Sequence, residues 1–229
     1  MRFWQEVEKV PLSRIATGKL KMKLLYATSN PGKFQEVVSQ LTPHHIKVYS
    51  PLDFNLKIDA DETGNSLEEN ALLKLKTYLR FVPKNVVVMA DDTGVEIEAL
   101  NGEPGIHVRR WKGYRMEDEA IIQYCLERMK DVPKEKRGAQ FRTVIAIGQN
   151  EGDIQFFDGI LKGTITEQPI KLRMKGFPFE SIFYIPEYQM MLGDLHQLSQ
   201  KKKLRNYLFS HREKAIQKAL PTLIRLLAV

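Results

Sequence analysis

A chain of 229 residues that is 43% hydrophobic and 28% charged can build one substantial globular core, and its composition excludes a disordered or fibrous protein. One cysteine, Cys125, excludes a disulfide framework, and no apolar run approaches the roughly 20 residues of a membrane span. The N-terminus MRFWQEVEKVPLSR lacks the apolar centre of a signal peptide, so a cytoplasmic protein without membrane contact is expected.

The net charge of +7 is confined to the ends. Residues 1–23 carry six Lys/Arg against two acids and residues 196–229 eight against one, which leaves the centre four charges negative. KKKLR, residues 201–205, is the single clustered basic run, and a solvated helix face explains it better than a nucleic-acid footprint.

Residues 1–21 have no clear period and read as an extension to a domain spanning 22–229. From there strand-like and helix-like patterns alternate. KLLYAT is a strand, GKFQEVVSQL a helix and IKVYS a strand. SLEENALLKLKTYLRF is a helix opened by a capping box, Ser66-x-x-Glu69, with Leu72, Leu73 and Leu75 expected in the core. VVVMA is a buried strand that passes through DDTG into the alternating GVEIEAL. MEDEAIIQYCLERMK is a helix in which Cys125 reads as a buried structural thiol. FRTVIAIG and IQFFDGILKGTIT form a hairpin around residues 149–153, and SIFYI is a short strand. The C-terminal segment is helical, with a second capping box at Ser210-x-x-Glu213 and a restart at Pro221. One α/β domain with a mixed sheet accounts for this order.

Several stretches carry possible chemistry. In TSNPGKF a strand ends in Asn-Pro-Gly-Lys and a helix begins at once, which is either plain turn chemistry or an anion seat where a helix N-terminus and Lys33 meet phosphates. It lacks the spacing of a Walker A loop. In MADDTG a buried strand runs into Asp91 and Asp92, whose side chains point to opposite faces; a divalent cation or a solvated turn would each accommodate them. DADETG supplies Glu62 as a candidate metal ligand or a loop acid in water. Asn70 and Lys74 share one helix face, and Lys74 either meets a phosphate or snorkels off the core. In FSHREKA, Arg212 follows His211 at a helix start, and an arginine fork can donate to O6 and N7 of a 6-oxopurine. Phe179 in GFPFESIF is a stacking platform or a core ring.

Taken in order, SNPGK, ETGNSLEENALLK, ADDTG, NGEPGIHVRRWKG, GFPFESIF and SHR resemble the inosine triphosphate pyrophosphatase family, hydrolases of nonstandard purine nucleoside triphosphates. The resemblance begins near Met22 and thins after about Asp158. It implies an elongated α/β domain with a central mixed sheet flanked by helices, a nucleotide cleft between two lobes, and a homodimer. The implied reaction is Mg²⁺-dependent cleavage of ITP, dITP or XTP to monophosphate and pyrophosphate. Carried over motif by motif, Thr28, Ser29, Asn30, Pro31, Gly32 and Lys33 line the triphosphate with Lys74. Glu62 and Asp92 hold the metal with Asp91 as a further ligand; Asp92 activates water and Thr93 touches substrate. Phe177, Pro178, Phe179 and Glu180, with His211 and Arg212, form the base pocket.

The family's base loop reads Gly-aromatic-Asp followed by proline, where this chain has Pro178-Phe179-Glu180-Ser181, and Arg205 stands for a family lysine one residue out of register. A protein of the same fold with altered base choice or lost turnover is the alternative. A nucleic-acid module driven by the basic ends explains the lysine run but none of the carboxylates.

Overall fold

A computed structural model describes residues 22–58, 60, 62–150, 152–200 and 210–228. The extension over 1–21, the KKKLR run and Arg205 fall outside these residues. Within them the order is β1 (Lys23–Tyr26), α1 (Pro31–Leu41), β2 (Val48–Tyr49), α2 (Leu67–Leu79), β3 (Val86–Ile97), β4 (Pro104–Gly105), α3 (Asp118–Arg128) and β5 (Gly138–Gly148). β6 (Gln155–Ile165), β7 (Phe183–Ile185), β8 (Met190–Met191), α4 (Leu192–Gln200) and α5 (His211–Leu227) complete it.

The strands make one sheet of eight in the order β2-β1-β3-β5-β6-β7-β8, with β4 on β3. β1 is parallel to β2 and β3, because helices occupy the connections between them, whereas the short β5–β6 link permits only an antiparallel hairpin. The mixed α/β sheet flanked by helices is therefore the architecture. Among the described residues no helix is long and apolar enough to cross a membrane.

Three apolar clusters hold the layers together. α1 and α5 cover one face of β1, β3 and β5 through Val37, Leu41, Ile216 and Leu223; α2 covers the other through Ala71 and Leu75. The third joins α3, the antiparallel half of the sheet and α4, and contains Cys125, whose burial pushes the thiol up to about 12. Close approach of α5 to β6 is possible only because residue 159 is glycine: a Cβ there would lie 2.0 Å from the carbonyl oxygen of His211.

Four local expectations change. There is no turn at DDTG: β3 runs unbroken through Asp91 and Asp92, paired with β5 from Val88↔Gly148 to Ile97↔Ala139. Residue-by-residue pairing outweighs the local turn preference of Asp and Gly. Pro221 does not restart a helix; α5 continues through it on an exposed turn. The Ser66 box is half formed, since Ser66 accepts from the Glu69 amide but Glu69 takes the Asn65 N–H instead; the Ser210–Glu213 box is complete. Of the three leucines assigned to the core, Leu75 is buried, Leu72 half-buried and Leu73 37% exposed.

That last difference sets a test. Leu75→Ala should cost about 2–5 kcal/mol in urea unfolding, as for a buried leucine. Leu73→Ala, two residues away, should stay within about 0.5 kcal/mol.

Candidate active site

The parallel pairing of β1 with β3 ends at Tyr26↔Met89, and β4 joins β3 only at Val95. Between them one edge of β3 is open at the carboxyl end of β1, where α/β sheets place their ligands. Asp91, Asp92 and Thr93 occupy that stretch.

Strand alternation sends the two aspartates apart. Asp91 faces α1 and α5, and its carboxylate accepts from Tyr26 (2.6 Å), Lys33 Nζ (3.2 Å) and Arg212 Nε (3.1 Å). These partners overcome the burial that would raise it, and hold its carboxyl far below the usual carboxylate range. Asp92 faces α2, accepting from Asn70 Nδ2 at 3.1 Å and Lys74 Nζ at 3.0 Å. Burial pushes the Asp92 carboxyl up; Lys74 and Lys33 oppose this and Glu62 adds to it.

Lys74 ties the second loop to the strand. Its Nζ lies 2.6 Å from Glu62 Oε1 and donates to the Asp91 carbonyl at 2.9 Å. Glu62 and Asp92, distant in sequence, thus converge on one ammonium group. Lys33 reaches the neighbouring Asp91, so both lysines and both aspartates belong to one cluster.

Arg212 is 2% exposed, and every arm is used: Nε on Asp91, Nη1 on Glu36, Nη2 on Thr93 Oγ1 at 3.0 Å. It braces β3, α1 and α5 against one another. His211 stacks on Phe141, rings 4.8 Å apart, with Nδ1 2.6 Å from Thr143 Oγ1. Thr143 also contacts Thr93 at 2.7 Å, its cross-strand partner. Phe179 is a core ring between Trp111 and Phe141, and Pro178 is buried beside it. Half-buried Phe177 lies over the start of α1, where a Cβ on Gly32 would come within 2.3 Å of the ring. Glu180 is buried against His196 of α4, Oε1 to Nδ1 2.8 Å.

At TSNPGK the helix N-terminus caps itself. Asn30 Oδ1 accepts from Gly32 N (2.9 Å) and Lys33 N (3.3 Å), Thr28 Oγ1 accepts from Asn30 N, and Pro31 has no donor. Those amides are engaged, leaving Lys33, the Thr28 hydroxyl and exposed Ser29 as the loop's contribution toward an anion.

Sequence reasoning overlooked Tyr26, Glu36, Thr143 and His196. Glu36 follows Lys33 by three residues on α1 and so shares its face, a legible signal; the others depend on sheet register or on α4, which no motif marks.

Glu36, Glu62, Asp91 and Asp92 outnumber Lys33, Lys74 and Arg212 by one charge. Hard oxygen donors in slight anionic excess fit a divalent cation such as Mg²⁺, with Glu62 and Asp92 the converging pair. Among the described residues no group of three histidines, cysteines or carboxylates is placed to hold a metal ion by itself.

Residues 24–222 match the sequence profile of the Ham1 family. A Thermoanaerobacter pseudethanolicus protein named dITP/XTP pyrophosphatase is 36% identical over 199 residues, 86% of this chain and 94% of its own. A Christiangramia forsetii protein of the same name is 38% identical over 192 residues, 84% and 96%. Among solved structures, the Ham1 protein of Staphylococcus aureus superposes with a TM-score of 0.71 at 31% identity, covering 88% of this chain and 97% of that one. A HAM1 protein from Coxiella burnetii gives 0.73 at 28%, covering 89% and 99%.

Burial first, and then the Arg212 charge, pull the His211 imidazole down to about 3, so it is neutral in the folded protein. The unfolded chain takes up a proton near pH 6.5 that the folded one refuses, so stability falls as the pH drops from there. Unfolding measured from pH 6.5 to 4.5 should show a slope steeper by up to about 1.4 kcal/mol per pH unit than in His211→Gln. Parallel slopes would place a protonated imidazole in the fold.

Proposed function

Since the chain belongs to the Ham1 family, we propose that it hydrolyses nonstandard purine nucleoside triphosphates, ITP, dITP and XTP, to the monophosphate and pyrophosphate. The convergence of Glu62, Lys74 and Asp92 beside the Asp91–Lys33 pair is the observation that carries this reading.

In it, Lys33 and Lys74 receive the phosphate chain as point charges, with Thr28, Ser29 and Thr93 as hydroxyl donors. Glu62 and Asp92 would hold Mg²⁺, which would supply neutralisation of phosphate oxygens. Asp91 is not a ligand in this scheme; its carboxylate is committed to holding Lys33 and Arg212. Asp92 orients the attacking water and takes its proton. Asn70 Nδ2 and Lys74 fix the Asp92 carboxylate. The water oxygen attacks the α-phosphorus as the bond to the bridging oxygen breaks, and pyrophosphate departs with its charge offset by the lysines.

The base side rests on Phe177, the half-buried ring beside α1, and on Glu180, with His211 behind them. Phe179, Pro178 and Arg212 support that wall from the interior. A homodimer belongs to the same reading, and light scattering at micromolar concentration should return twice the chain mass of 26.5 kDa.

Asp92→Asn should lower the rate of pyrophosphate release from ITP by about 10²–10⁴-fold while the thermal midpoint is retained. Chelation of divalent ions should silence the native protein, and added Mg²⁺ should restore it. Orthophosphate as the first product, or full activity in Asp92→Asn, would reject the scheme.

A further inference from the structure

Glu180 is 6% exposed, in the short 3-10 turn Pro178–Ser181. Its Oε1 is paired with His196 Nδ1 at 2.8 Å, but its Oε2 is buried and takes no hydrogen bond among the described residues. A buried carboxylate oxygen left without a donor is destabilising, and a bound molecule that brings a donor removes that cost.

Its surroundings say which molecule. The Phe177 ring meets His196 edge-on, centroids 5.8 Å apart, and the same ring lies against Gly32 in the first turn of α1. The Glu180–His196 pair is therefore joined, through the Phe177 ring, to the loop proposed to receive phosphates.

The residue type then decides the base. An ionised carboxylate only accepts, so it suits a base with a proton at the ring position facing it. Hypoxanthine, xanthine and guanine carry N1–H; adenine has a lone pair at N1. A site built to bond an N–H rejects the analogue that lacks it more strongly than shape alone can.

Glutamate has one more rotatable bond than the aspartate of the family pattern, and a free glutamate would place Oε2 in several positions. His196 removes that freedom. Against the ionised carboxylate, whose oxygens only accept, Nδ1 is the donor. Burial lowers the imidazole's proton affinity, but the Glu180 bond and charge, with Glu36 and Glu213, raise it further, so the ring sits above its ordinary value.

We propose that His196 is a positioning residue for base selection: by donating to Oε1 it fixes Glu180 so that Oε2 accepts the N1–H of a 6-oxopurine. This rests on the triphosphate reading above, and deepens it by naming what discriminates the base.

The test uses the full chain with ITP, XTP, GTP and ATP, following pyrophosphate release and, separately, calorimetric binding of ITP and ATP without turnover, with Ca²⁺ in place of Mg²⁺. His196→Phe should raise KM for ITP about tenfold, lower kcat less than about threefold, and cut the ITP-to-ATP ratio of kcat/KM about tenfold. His196→Asn, whose amide can still donate, should recover most of that ratio. A His196→Phe protein with an unchanged ratio, a loss in kcat alone, or an equal loss on all four bases overturns the proposal. If the phenylalanine variant does not fold, His196→Met replaces it with the same outcomes. If the native protein hydrolyses none of the four yet binds ITP over ATP, turnover is wrong and the proposal is judged on whether the variant loses that preference. If it binds neither, both readings fall.

Discussion

The buried ion cluster around Asp91 is the constraint on which the rest of the structure depends. Asp91 and Arg212, each 2% exposed, meet in the interior, and Arg212 also holds Glu36 while Asp91 holds Lys33 and Tyr26. Four segments, β1, α1, β3 and α5, are joined at one point. Charges this deep persist only if every partner is in place, because removing one leaves another desolvated and unpaired. The C-terminal helix therefore docks in one register, aided by Gly159, which lets its first turn touch β6. The cluster specifies the arrangement more than it adds to stability.

From that anchor the division of labour between the adjacent aspartates follows. Opposite side-chain directions give one carboxylate a saturated, cation-rich setting and the other a buried setting whose partners reach across from α2. The first stays ionised and immobilises Lys33. The second keeps a raised proton affinity beside Glu62 and Lys74. The two neighbours thus have opposite electrostatic settings, an outcome no turn could supply, since a turn would expose both to water.

The distal wall is built by different forces. Phe141 joins it to the sheet, stacking on His211 on one side and meeting Phe179 and Phe183 on another. Thr93 and Thr143, paired across β3 and β5, pass a hydrogen-bonded contact from Arg212 to His211, so the ion cluster and the aromatic wall are joined through one sheet. Among the described residues Glu180 Oε2 stays an unmet acceptor in this wall.

By itself the sequence determined the periodic elements, the mixed sheet and the residue types of the candidate site, since apolar period, caps and the NPGK and DDTG stretches are local features. It also told that Asp91 and Asp92 point apart, which alternation requires of any strand. Tertiary structure decided the rest. Whether DDTG turns or continues depends on ten paired residues of β5; whether Arg212 reads a ligand or braces the fold depends on Glu36 and Asp91 arriving from other segments; whether Phe179 is a platform or a core ring depends on Trp111 and Phe141. Each of these choices is made by desolvation against distant partners, and a carboxylate, a guanidinium or a ring carries no mark in the chain of what will surround it.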